Sequence, residues 1–132
     1  MTEPVWLLKS AVLAVHGQMI VEHGGTPGIR DEGLLDSALA RPTNLYHYDR
    51  CRELNRLAAA YAAGIVKNHP FVDGNKRTGF IAAYIFLGRN GLALTADEVS
   101  ATTMTLSLAA SEIDESDYAA WLGANTVNWD DT

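Results

Sequence analysis

The chain has 132 residues, 16 of them acidic and 10 basic, for a formal charge of −6. Residues 1–91 hold all ten Lys and Arg against eight acids, a balance of +2, while residues 92–132 hold eight acids and no Lys, Arg or His, a balance of −8. This length predicts one domain over residues 1–132, and the 48% apolar content excludes a disordered chain. The net charge argues against a generally basic nucleic-acid binder, so no direct nucleic-acid binding is expected.

Residues 5–21 predict the first helix, with Leu8, Val12, Val15 and Met19 on an apolar face that also carries His16, read as a core-edge histidine. Gly24, Gly25, Pro27 and Gly28 end it. Asp31 is the expected N-cap of a short second helix with Leu34, Leu35, Ala38 and Leu39 inward, which Pro42 and Asn44 should break. Leu45–Asp49 lacks periodicity and reads as an exposed loop. A third helix over 50–67 has an alanine-rich centre and should end at His69-Pro70, because the residue before proline is biased away from helix. A fourth helix from Lys76 to Arg89 has so little polar surface that it reads as the central helix, with Asn90-Gly91 as its stop. Thr95 and Glu98 fit a capping box opening a fifth helix through Met104 and Leu108. A last helix after Ser111 or Asp114 should end at Gly123. No strand alternation is visible, so the expected fold is all-α, a compact globule of five or six helices.

Chemistry concentrates in His69-Pro-Phe-Val-Asp-Gly-Asn-Lys-Arg77, which sets an imidazole, a carboxylate, an amide, an ammonium and a guanidinium between two apolar helices. A loop entering a helix presents unpaired backbone N–H groups, and Gly74 lets that backbone bend towards a ligand. An anion such as phosphate fits there, with Arg77 offering a planar fork and Lys76 a mobile point charge. Asp73 is the candidate metal ligand, because Mg²⁺ is commonly held by one carboxylate plus phosphate oxygens and waters. His69 is suited to accept a proton from an attacking hydroxyl at neutral pH. Base, metal holder and anion cradle together suit phosphorus-group transfer. The spacing is not that of a P-loop, since Phe80 and Ile81 follow Gly79. Phe71 is expected to pack beneath the loop.

The segment H-P-F-V-D-G-N-K-R resembles the signature of the Fic/Doc superfamily and is most similar to the death-on-curing (Doc) toxins. The run Gly24-Gly-Thr-Pro-Gly-Ile29 with Asp31, and Phe86-Leu-Gly-Arg-Asn-Gly91, are also similar to these toxins, so that roughly residues 5–120 are covered. The resemblance implies a compact helical Fic-type fold with room for a short flap. It implies His69 as general base, Asp73 as holder of Mg²⁺, Gly74, Asn75 and Lys76 as the anion-binding turn, and Arg77 as a contact to nucleotide phosphates. Lys76 stands where the usual Fic form has a second glycine. In Fic adenylyltransferases the turn holds the α-phosphate and AMP is transferred. The lysine is the Doc-type departure, which implies transfer of the ATP γ-phosphate to a Ser or Thr of elongation factor Tu. AMP transfer, or a catalytically inactive binding protein of the same fold, remains the alternative.

The same resemblance implies a flap that aligns the target segment, placed over Arg41–Asp49. Thr43, Asn44, Leu45, Tyr46, His47 and Tyr48 would pair with an extended target. Arg50, Arg52 and Arg56 follow, as a solvated face or as phosphate or target contacts. The nearest match to the inhibitory helix of Fic proteins is Ser111-Glu-Ile-Asp-Glu115, but Ser116 follows in place of Gly or Asn. The resemblance to Doc toxins implies restraint by a separate Phd-type antitoxin, which the lack of an internal inhibitory helix fits. Cys51 is the only cysteine, so no internal disulfide forms. Met1–Lys9 has no signal-peptide pattern, and no apolar run is long enough to span a membrane. A cytoplasmic location is expected.

Overall fold

A computed structural model describes residues 2–132. Six helices follow one another: α1 (Lys9–His23), α2 (Glu32–Tyr48), α3 (Leu54–Asn68), α4 (Asn75–Arg89), α5 (Glu98–Ala109) and α6 (Glu115–Ala124). Two three-residue strands, β1 (Leu92–Leu94) and β2 (Thr126–Asn128), pair antiparallel with Ala93 opposite Val127. The fold is thus all-α apart from this clasp. Strands so short cannot display an alternation, which is why the sequence pattern is silent about them. Among the described residues no helix is long and apolar enough to cross a membrane.

The centre of the bundle is α3 rather than α4. Its residues Leu57 to Val66 are ten consecutive buried positions, and α2, α4 and α6 pack around it. Burial on every side demands small residues where neighbouring backbones come close. A Cβ on Gly64 would lie 3.0 Å from Ala38 Cβ of α2, and one on Gly79 of α4 would lie 2.6 Å from Val66 Cγ2 and 3.1 Å from Ala62 O. α4, by contrast, leaves Phe80, Ile81 and Ile85 only partly covered and Tyr84 exposed. Large side chains fill the space between helices: Tyr61, Phe86, Leu35, Leu57, Leu108, Tyr118 and Leu122 are all fully buried. Trp6 stacks on Phe86 at 5.9 Å between ring centroids.

Several boundaries differ from the sequence expectation for identifiable reasons. α1 starts at Lys9 after an extended Leu8 (φ −75, ψ 144), and ahead of it Val5 has its N–H and C=O both taken by the Asn90 side chain (2.8 and 3.1 Å). α2 has Asp31 as its N-cap, as expected, with the carboxylate accepting from the Leu34 N–H at 3.0 Å. It then runs through Pro42 to Tyr48. Pro42 is buried, and Leu39, Leu45 and Tyr46 pack against the core, so burial outweighs the hydrogen bond that proline removes. Arg50 takes a left-handed backbone (φ 55), and Cys51 N–H bonds back to Leu45 O at 3.0 Å, which delays α3 to Leu54. Asp97, not Thr95, caps α5, while the Thr95 hydroxyl donates to Asn125 O at 2.8 Å. Asp114 caps α6 in a reciprocal box with Asp117, and the helix ends at Ala124.

The expectation of an extended flap at Thr43, Asn44, Leu45, Tyr46, His47 and Tyr48 is corrected. These residues form the last turns of α2, whose backbone N–H groups are engaged within the helix, so the segment offers no extended edge for a target to pair with. Tyr46 is a packing residue, its ring 5.6 Å from that of Trp6 and 4.2 Å beneath the Arg52 guanidinium.

Candidate active site

α3 ends at His69, which adopts the left-handed conformation (φ 49, ψ 56) and whose N–H still bonds Ile65 O at 3.2 Å. Pro70 cannot continue the helix. Five residues later Gly74, also left-handed (φ 77), opens α4. The intervening loop turns the chain so that Gly79 seats against Ala62 and Val66.

From below, the loop is held by buried side chains. Asn75 accepts from Phe71 N–H through Oδ1 and donates to Phe71 O through Nδ2, both at 3.0 Å. Phe71 is fully buried and lies flat on His16, with ring centroids 3.8 Å apart at 7°. His16 Nε2 is 2.8 Å from Asp73 O. A carbonyl only accepts, so Nε2 is the donor in this bond.

From the side, the loop is paired with the extended segment after α1. Val72 N–H donates to Gly28 O at 3.0 Å, and Pro70 O accepts from Arg30 and Asp31 N–H at 2.7 and 3.0 Å. Ile29 and Phe71 form an antiparallel bridge. Arg30 adds Nε to His69 O at 2.6 Å and Nη2 to Asn68 O at 2.8 Å. The Asp73 carboxylate accepts from Gly74 N–H at 2.9 Å and from Thr26 N–H at 3.3 Å. Gly25 must be glycine here, since it has φ +120 and its Cβ would lie 2.8 Å from Asp73 Oδ2.

These two supports leave a half-open cleft of about 230 Å³ lined by His69, Val72, Asp73, Gly74, Asn75, Lys76 and Arg77. The structure therefore gathers all six candidate residues of the loop. Their parts differ: His69, Asp73, Lys76 and Arg77 are exposed, whereas the Asn75 side chain is buried and engaged with Phe71. Asn75 thus offers the cleft its backbone alone. The N–H groups of Asn75, Lys76 and Arg77 have no hydrogen-bond partner among the described residues. Among the described residues, no carboxylate comes within 4.0 Å of Lys76 or Arg77. No group of three or more His, Cys, Asp or Glu side chains gathers among them either, so any metal here would rest on Asp73 and on ligand or water oxygens. His16, Arg30 and Gly25 were not legible as parts of the site. A histidine in the apolar stripe of α1 was the available signal, because a buried imidazole needs a partner.

Residues 6–87 match the Fic/DOC family. The chain belongs to that family. The matched stretch runs from the segment before α1 almost to the end of α4 and includes every residue of the cleft and of its supports. Among curated Fic/DOC relatives, the chain is 46% identical over 78 residues to "Toxin Doc" of Mycolicibacterium smegmatis, covering 58% of this chain and 60% of that protein. It is 32% identical over 108 residues to "Protein kinase doc" of Escherichia phage P1, covering 82% of this chain and 85% of that protein.

Proposed function

We propose that the protein is a Doc-type toxin kinase that transfers the γ-phosphate of ATP to a Ser or Thr hydroxyl of a translation factor resembling elongation factor Tu. One observation carries this reading. The first turn of α4 combines three free backbone N–H groups with two cations that have no carboxylate partner, beside an exposed imidazole and carboxylate. The names of the two relatives, a toxin and a protein kinase, agree with it. The cleft is smaller than the roughly 300–1,000 Å³ that engulfs a drug-sized ligand, so it suits the phosphates, with the nucleoside at its rim.

In this scheme the phosphate oxygens lie against the N–H groups of residues 75–77, with Lys76 and Arg77 balancing their charge. His69 takes the proton of the target hydroxyl as that oxygen bonds to the γ-phosphorus. The bond from the γ-phosphorus to the bridging oxygen breaks, and ADP leaves. Asp73 would hold Mg²⁺, since each of its oxygens accepts only one N–H and keeps a lone pair free. When bound, that ion neutralises charge on the phosphates. The segment Gly28–Asp31, bridged to the loop through Ile29 and Phe71, lies beside it and is the element against which a target segment would align. A Phd-type antitoxin would restrain the toxin in the cytoplasm. Glu115, the nearest match to an internal inhibitory glutamate, is engaged by Arg41.

The test is transfer from ATP labelled at either the α or the γ position to a purified elongation factor, with Mg²⁺. Label from the γ position on the target is expected. Label from the α position would replace kinase chemistry with AMP transfer, and label from neither would refute enzymatic turnover. His69→Ala should abolish transfer while the far-UV circular dichroism and melting profile persist. Full activity in that variant would remove His69 as the base.

A further inference from the structure

We propose that Arg30 is a positioning residue for His69, which fixes the imidazole by clamping the last carbonyls of α3. The inference rests on the reading of His69 as the proton acceptor and adds a residue that the loop motif does not contain.

Two features of His69 require an external brace. It occupies the left-handed region without being glycine, a conformation that persists only where the surroundings impose it. It also stands at the C-terminal end of a helix, where the final carbonyls have no intrahelical partner. Arg30 meets both needs. Its fork reaches two successive carbonyls, Nε to His69 O at 2.6 Å and Nη2 to Asn68 O at 2.8 Å. A guanidinium there also faces the negative end of α3. Backbone N–H groups of Arg30 and Asp31 take the next carbonyl, Pro70 O, at 2.7 and 3.0 Å. Three consecutive carbonyls, 68 to 70, are thus bound by two adjacent residues.

Those two residues are themselves anchored. Asp31 is the N-cap of α2, and α2 is fixed in the core through Leu35 and Ala38. Arg30 has no carboxylate within 4.0 Å among the described residues, so no ion pair competes for its guanidinium. The phosphate-facing half of the loop has separate supports, namely the Asn75–Phe71 clamp and the His16–Asp73 bond. Loss of the Arg30 fork should therefore disturb the imidazole and spare the cradle.

The experiment uses the full chain as wild type, Arg30→Ala and Arg30→Lys. Imidazole carbon–proton NMR signals are assigned with His69→Ala, and ATP affinity and steady-state transfer are measured beside them. In Arg30→Ala the His69 signal should shift or split while those of His23 and His47 stay. Affinity for ATP should be unchanged, and kcat should fall on the order of a hundredfold, the loss typical of a misplaced catalytic group. Arg30→Lys should lie between, because one ammonium cannot span both carbonyls as the fork does. Wild-type His69 signals and kcat in Arg30→Ala would overturn the proposal, as would lost ATP affinity and melting temperature with kcat intact. If Arg30→Ala does not fold, the same readings on Arg30→Lys decide. If even the wild type transfers nothing, the proposed function fails, yet the His69 signals still decide whether Arg30 positions the ring.

Discussion

Substitution Asn75→Ala tests the central element of the loop. Asn75 is 7% exposed, and among the described residues its side chain supplies the only hydrogen bonds to Phe71 N–H and Phe71 O, each 3.0 Å long. The neighbouring bridge to Ile29 does not serve these groups, since its bonds run from Val72 and to Pro70. Truncation therefore orphans a donor and an acceptor on a fully buried residue. Each orphan costs about 1–3 kcal/mol, with water entering the vacated space at the lower end of that range. Alanine recovers about 0.5 kcal/mol of helix preference at most, since the site is the first helical position. The net expectation is about 2–3 kcal/mol of lost stability, or a melting temperature lower by roughly 6–15 °C for a chain of this size. Urea denaturation with both variants fitted to a common slope provides the measurement. Asn75→Asp sharpens it. The new carboxylate can accept from Phe71 N–H but confronts Phe71 O with a second acceptor, so near neutral pH it should be at least as damaging as alanine. Protonation would restore a donor, so its deficit relative to the wild type should shrink as the pH falls. Stability of Asn75→Ala within about 0.5 kcal/mol of the wild type would refute the clamp.

Gly79→Ala should destabilise the chain, although alanine is the better helix former by about 1 kcal/mol. The added carbon would meet Val66 Cγ2 at 2.6 Å and a helix backbone oxygen at 3.1 Å, and overpacking of this kind costs about 1–3 kcal/mol. Unchanged or raised stability in chemical denaturation would mean that α3 and α4 part more easily than their packing implies. Alkaline pH should also weaken the fold. Burial pushes the Tyr118 hydroxyl up to about 12, against the bond from Thr105, and raises Tyr61 as well. The folded state keeps protons that the unfolded chain loses, so stability is full below pH 10 and declines as pH rises towards 12. Tyr118 alone should account for about 2–3 kcal/mol by this linkage. Denaturation curves across that window check the direction, and a flat profile would contradict it.

What could be read in advance was whatever local chemistry decides. Asp31 and Asp114 cap helices because their carboxylates reach N–H groups three residues ahead, and that geometry is written in adjacent residues. The His69–Arg77 cleft was legible for the same reason, since all its candidate groups lie within nine positions. Contacts distant in sequence were not. Pro42 reads as a helix breaker until its burial is known, and residue 5 reads as the start of α1 until Asn90, 85 positions away, is found bonded to both backbone groups of Val5. His16 and Arg30 stand 57 and 39 positions from the carbonyls of Asp73 and His69 that they bind. Thr95 reads as the cap of α5, but its hydroxyl goes to Asn125 O, thirty positions away, and Asp97 caps the helix instead.

The uneven charge of the chain bears on the site through the way its helices begin. A helix N-terminus carries partial positive charge, so acids there are favourable and cations cost about 0.3–1 kcal/mol each. α2, α5 and α6 follow the rule, with Asp31 and Glu32, Asp97 and Glu98, and Asp114, Glu115 and Asp117 at cap or first turn. α3 has Glu53 as its cap beside Arg56. α1 opens on Lys9, but Glu32 and Asp36 neutralise that ammonium at 2.7 and 2.8 Å. Only α4 begins with two cations, a glycine cap and no acid in its first turn. Asp73 precedes them, yet its carboxylate is engaged by Gly74 and Thr26 N–H and lies beyond ion-pair distance of either cation. Nothing in packing requires this arrangement, since Lys76 and Arg77 are exposed and Asn75 and Thr78 fill the buried positions around them. An anion seated on the free N–H groups would turn each unfavourable contact into a favourable one. The departure from the charge pattern of the other five helices therefore gives the motif's glycine and two cations an electrostatic reason that an anion such as phosphate would supply.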